Sequence, residues 1–114
     1  MKKISQVLLE SQSTRKQGTG GYRNEDDDTY CAVGALACEV GEHPQFYVLD
    51  KSGKLSANRL FSYYGVSARQ FKYKRECFIC GILFYDLHDF IVHLNDGEKL
   101  TFEQIGEYMK ELGF

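Results

Sequence analysis

The chain has no tryptophan, a single proline (Pro44), and no apolar run approaching the roughly 20 residues that a membrane-spanning helix needs. Without tryptophan, the large core volumes fall to 8 phenylalanines and 8 tyrosines. Without a long apolar run, a helical membrane protein is excluded and no membrane partner is expected. The start, Met1-Lys2-Lys3-Ile4-Ser5-Gln6, also lacks an uninterrupted apolar stretch and a small-residue cleavage site, so no signal peptide is read there. The four cysteines, at 31, 38, 77 and 80, are then expected as reduced thiols or metal ligands in a cytoplasmic protein rather than as a disulfide framework. A length of 114 residues fits one domain, 1–114, and an apolar content of 43% excludes a wholly disordered chain.

Charge is sparse in sum but segregated along the chain. The net charge is −2, yet Lys51 to Arg75 carries seven bases and no acid, while Glu76 to Phe114 carries eight acids against Lys99 and Lys110. Glu25-Asp26-Asp27-Asp28 adds a third, acidic block. Such asymmetry points either to a partner surface or to two blocks that neutralise each other in the fold.

Hydrophobic spacing predicts the elements. Ile4, Val7, Leu8 and Ser11 mark a first amphipathic helix over 2–13. Gly18 to Asp28 reads as a polar loop, after which Asp28 or Thr29 caps a second helix over Tyr30–Val40, stopped by Gly41. That helix is apolar on most faces, as a buried one must be, and Gly34 and its alanines let neighbours approach closely. Gln45–Leu49 and Phe71–Lys74 have strand character, and Ser56 caps a short helix over Ala57–Tyr64. Asp86–Leu94 and Thr101–Leu112 read as further helices, the last opened by a Thr101/Gln104 capping box. The expected fold is α+β and mostly helical: a central buried helix packed by the N- and C-terminal helices, with a small β-hairpin at one side.

The strongest chemical pattern is Cys77-x2-Cys80 followed by His88 and His93, a possible tetrahedral zinc set. Its spacing departs from a Cys2His2 finger, which has about twelve residues between the second Cys and first His, where this chain has seven. His88 and His93 are five apart, so on a regular helix they point about 140° away from each other. The alternative is that both cysteines pack as small hydrophobes, with His88 exposed and His93 making a cap or hydrogen bond. No cofactor is otherwise expected, and no catalytic residue is assigned. A candidate partner or nucleic-acid surface comprises Arg59, Arg69, Lys72, Tyr73, Lys74 and Arg75, where bases alternate with rings able to stack on unpaired nucleotides. Gly18-Thr19-Gly20-Gly21 lacks the Gly-Lys-Ser/Thr ending of a phosphate loop and reads as a connector.

Gln17-Gly18 with Cys31-Ala32-Val33-Gly34-Ala35-Leu36, then His93-Leu94-Asn95-Asp96, then Thr101-Phe102-Glu103-Gln104-Ile105, resembles small uncharacterised phage and bacterial proteins of the DUF6197 type. The match covers about half the chain and leaves Gly41 to Arg75 unmatched. Val33 stands where leucine is usual. The resemblance implies a phage-type accessory protein and transfers no catalytic residue. Cys31, Gly34, His93, Asn95 and Asp96 are read as structural, with Asn95 or Asp96 expected to satisfy free amides at the start of the Cys31 helix.

Three functions fit the sequence. The first is a non-enzymatic protein that binds a host or phage protein through its charge-polarised surface. The second is a zinc-stabilised nucleic-acid-binding domain using Cys77, Cys80 and the Lys51–Arg75 segment. The third is a small enzyme or nucleotide-binding protein using the glycine-rich loop near Arg23. The partner and the oligomeric state are not legible.

Overall fold

Asn95 joins three parts of the molecule that are far apart in sequence. Its carboxamide oxygen accepts from the Ala32 amide at 3.0 Å and from Gln17 Nε2 at 2.8 Å, while its nitrogen donates to the Gly18 carbonyl at 2.9 Å. The computed structural model that shows this describes residues 2–20, 22–41, 59–66 and 75–114, with Arg75 described by its backbone alone. The architecture is α+β and mostly helical.

Helix α1 (Ile4–Thr14) buries Ile4, Val7, Leu8 and Ser11, the stripe its spacing predicts. It packs along the last helix, α4 (Phe102–Glu111), which buries Phe102, Ile105, Gly106 and Met109. Close packing of this pair rests on Gly106, where an added Cβ would lie 2.9 Å from Leu9 Cγ. The Thr101/Gln104 capping box forms as expected, satisfying two amides that the first turn leaves free. The chain ends then meet: the Ser5 amide donates to the Phe114 carbonyl at 3.1 Å.

Helix α2 (Ala32–Glu39) is the interior rod. Ala32 to Ala37 are all buried, and Tyr64 Oη donates to the Leu36 carbonyl at 2.6 Å. Gly34 is obligatory for packing, since a Cβ there would lie 1.8 Å from the Tyr22 carbonyl oxygen. The helix starts later than the spacing predicts. Thr29 and Tyr30 are drawn into a strand instead, and the Cys31 sulfur becomes the cap, accepting from the Gly34 amide at 3.4 Å. Burial raises the Cys31 thiol to about 11, although the Gly34 amide favours its ionised form.

The segment read as a polar loop is also more ordered than expected. Lys16–Gln17 (β1) pairs in parallel with Thr29–Tyr30 (β3), and Arg23–Asn24 (β2) pairs with β3 antiparallel. Gly18 allows it, because a side chain would meet Thr29 Oγ1 at 2.2 Å. The acidic block supplies turn contacts: Asp27 accepts from Thr29 Oγ1 at 2.8 Å, and Asp28 (φ 54°) pairs with Arg23 at 3.0 Å.

A hairpin does exist, but it is built from Arg75–Glu76 (β4) and Leu83–Phe84 (β5), closing around the two cysteines. The expected strands at Gln45–Leu49 and Phe71–Lys74 lie outside the described residues. Of the short helix expected over Ala57–Tyr64, residues 59–62 are described and helical. Helix α3 (Leu87–Val92), capped by the Asp86 carboxylate on the Asp89 amide, buries Leu87, Phe90 and Ile91. It runs directly into a π-helix, His93–Gly97.

Candidate metal centre

Two local devices, a hairpin turn and a π-turn, bring four metal-binding side chains together. In the first, the Cys77 amide donates to the Ile82 carbonyl at 2.8 Å and the Gly81 amide to the Cys77 carbonyl at 2.9 Å. Gly81 takes φ +77°, a conformation that favours glycine, and the chain folds back tightly with both sulfurs on one side. In the second, the Glu98 amide donates to the His93 carbonyl at 3.0 Å, an i→i+5 bond. Residues five apart diverge on an α-helix but are brought nearly into line by that wider turn, so His93 and Glu98 face the same way.

One ligand atom from each of Cys77, Cys80, His93 and Glu98 lies within 4.8 Å of the others. Cys80 Sγ is 3.3 Å from His93 Nε2, which is 3.0 Å from Glu98 Oε1. Tetrahedral zinc, with bonds of about 2.3 Å to sulfur and about 2.0 Å to nitrogen or oxygen, sets sulfur and nitrogen about 3.5 Å apart and nitrogen and oxygen about 3.3 Å apart. The Cys80–His93 and His93–Glu98 separations are therefore close to two edges of a zinc-sized tetrahedron, and Cys77 lies within 4.8 Å of all three. Two thiols, an imidazole and a carboxylate suit zinc better than calcium or magnesium, which prefer oxygen donors.

The surroundings support the donors. Cys77 is buried, and His93 and Glu98 are 16% and 12% exposed. The Phe84 ring lies 4.7 Å from that of His93 and limits its movement. The Ile82 amide points at the Cys80 sulfur and favours its thiolate; desolvation and the neighbouring Glu98 and Cys77 outweigh it, holding the metal-free thiol above its ordinary value. A cation among these groups relieves that crowding, and its binding must release protons.

Of the sequence-predicted set, Cys77, Cys80 and His93 converge and His88 does not. As its spacing on α3 implies, His88 points elsewhere: Nε2 shares a 2.7 Å hydrogen bond with Tyr22 Oη, and Nδ1 lies 3.1 Å from Asp89 Oδ1. It ties α3 to Tyr22, the residue that precedes β2. Asp86, His88 and Asp89 form a second cluster of possible ligands, but Asp86 is engaged as the α3 cap and both His88 nitrogens have partners. Glu98 is the fourth corner, and the sequence gives no sign of it unless the π-turn is known.

The remaining candidates divide. Arg59 is exposed, Arg75 lies in β4, and Arg69, Lys72, Tyr73 and Lys74 fall outside the described residues. Asn95 is buried and donates to Asp96 Oδ1 at 2.7 Å. Arg23, near the glycine loop, pairs with Asp28 and lies 5.6 Å over the Tyr30 ring. A nearby cleft of about 610 Å³ is lined by residues including Lys2, Arg15, Tyr30 and Glu39, and by none of Gly18, Thr19 and Gly20. All four cysteines are free, and among the described residues no helix is long and apolar enough to cross a membrane.

No protein-family model matches the chain, and no curated protein or solved structure matches it.

Proposed function

We propose that the protein is a zinc-stapled, non-enzymatic interaction module, with the ion held by Cys77, Cys80, His93 and Glu98. The observation that carries this is the convergence of four suitable donors within 4.8 Å, from two elements separated in sequence. Four protein ligands complete a tetrahedron and leave no open position for water or substrate, which marks a structural rather than a catalytic zinc. The ion would tie the β4–β5 hairpin to the π-helix. Dependence on free thiols suits a reducing compartment such as the cytoplasm.

The setting favours a protein partner over a nucleic acid. Asp86, Asp89, Asp96, Glu103, Glu107 and Glu111 come after the knuckle in sequence, on the elements that flank it, and such charge repels phosphates. The knuckle itself exposes Phe78, Ile79, Ile82 and Leu83, apolar surface suited to contact with another protein.

Metal analysis of the purified full chain tests the centre. One zinc per chain is expected, exchangeable for cobalt with the visible spectrum of a tetrahedral, thiolate-bound ion. Cys80→Ser and His93→Ala should abolish binding and Glu98→Gln should weaken it. A chain that takes up neither zinc nor cobalt, or an octahedral cobalt spectrum, refutes the site.

A further inference from the structure

The turn that holds the thiols also projects the two residues between them. Phe78 is 59% exposed and Ile79 49%, and the Phe78 ring approaches Tyr108 of α4 with centroids 4.5 Å apart. Between turn and helix lies a groove of about 650 Å³, with an apolar floor that includes Phe78, Ile79 and Tyr108. Its other wall carries Glu103, Glu107 and Glu111. These are four residues apart and so form one row along the helix, with about 6 Å between successive Cβ atoms.

None of the three carboxylates forms an ion pair with a described residue. Like charges four apart on a helix repel, so the row costs stability where no described residue neutralises it. An apolar floor beside such a row is complementary to one kind of surface: apolar side chains at helical spacing with lysine or arginine along one flank.

We infer that this groove docks a basic amphipathic helix of a partner protein. Its apolar residues would lie on Phe78 and Ile79, and its basic residues four apart would face Glu103, Glu107 and Glu111. The inference rests on the zinc-stapled module in one respect, because Phe78 and Ile79 are the two residues between thiol ligands and the ion would fix their direction. Charge of this sign disfavours nucleic acids and anionic lipid as occupants.

The test is fluorescence anisotropy on the zinc-loaded full chain. The probe is a labelled 18-residue peptide with leucines at i, i+3, i+4 and i+7 and lysines flanking them, beside a scrambled peptide of the same composition. The patterned peptide should bind at least tenfold more tightly than the scrambled one. Phe78→Ser, and separately Glu107→Lys with Glu111→Lys, should each weaken it about tenfold while zinc stays at one per chain. Equal binding of the two peptides, or unchanged binding by Phe78→Ser, overturns the inference. So does concentration-dependent self-association that the glutamate reversals abolish, since the groove would then take a second copy. Zinc content of the same preparations separates the two proposals: a metal-free chain that discriminates the peptides refutes the centre alone, and a zinc-loaded chain that does not refutes the groove alone.

Discussion

Replacing Asn95 by alanine should destabilise the protein by about 3–5 kcal/mol, although Asn95 is neither a metal donor nor an apolar core residue. Its carboxamide makes three long-range hydrogen bonds, to the Ala32 amide, to Gln17 Nε2 and to the Gly18 carbonyl. At about 1 kcal/mol net for each, their loss alone costs about 3 kcal/mol. Gln17 keeps the Leu100 carbonyl at 2.7 Å, which brings that loss down to about 2 kcal/mol. The Ala32 amide has no such reserve. It lies in the first turn of a buried helix, and an unpaired buried amide adds about 1–3 kcal/mol. Asn95→Asp sharpens the test: the acceptor remains, but the donor to Gly18 is lost and a carboxylate is placed beside Asp96. That variant should also lose more than about 2 kcal/mol at neutral pH. Urea unfolding of zinc-loaded protein, followed by far-ultraviolet circular dichroism because the chain has no tryptophan, measures both. A loss below about 1 kcal/mol for Asn95→Ala would show that water or rearrangement satisfies Ala32, and that the carboxamide is not the junction described.

Gly34→Ala sets two effects against each other: helix propensity favours alanine by about 1 kcal/mol, but the new Cβ would lie 1.8 Å from the Tyr22 carbonyl oxygen. Overpacking should win, with a net loss of about 3 kcal/mol or failure to fold, and a neutral result by urea unfolding contradicts it. Gly97→Ala places a Cβ 2.8 Å from His93 Nδ1 and should displace the imidazole, weakening zinc about 10- to 100-fold in a chelator competition while the far-ultraviolet spectrum stays unchanged. The Cys31 thiol, raised by burial from 9.0 to about 11, gives an alkaline signature. Above pH 9 the unfolded chain ionises this group and the folded chain does not, so its contribution is whole below about pH 9 and lost as pH rises through 11. Relative to Cys31→Ser, which caps the helix without ionising in this range, the parent should lose about 1.4 kcal/mol by pH 10. Parallel pH curves for the two would contradict the burial of that thiol.

Much of this architecture is legible from periodicity. The stripe of α1 is buried as its spacing predicts, and the helices expected at Asp86–Leu94 and Thr101–Leu112 each bury an apolar face, because one apolar face against one core leaves little freedom. The satisfaction of an α2 amide by the His-Leu-Asn-Asp segment is also foreseeable, from the turn-forming chemistry of Asn95. The small sheet is not, since two-residue strands in a polar, glycine-containing stretch carry no alternation to detect. The start of α2 is misjudged for the same reason: strand pairing outcompetes Thr29 as a cap. For the metal centre, Cys77, Cys80 and His93 are visible as residue types in order, but the fourth donor is not. Counting along a 3.6-residue helix sends residues five apart to different faces, which rightly separates His88 from His93 and wrongly separates His93 from Glu98. The difference lies in one i→i+5 hydrogen bond.

That bond fixes how the segment can change over time. His93 serves the candidate ion and Asn95 serves the buried rod, from one five-residue turn. Deleting a residue to restore regular 3.6-residue winding would rotate the downstream chain by about 100°, and no such rotation keeps both side chains in place. Surface turns ordinarily tolerate gain or loss of a residue; this one is constrained from two sides, so its length should be among the least negotiable features of the chain.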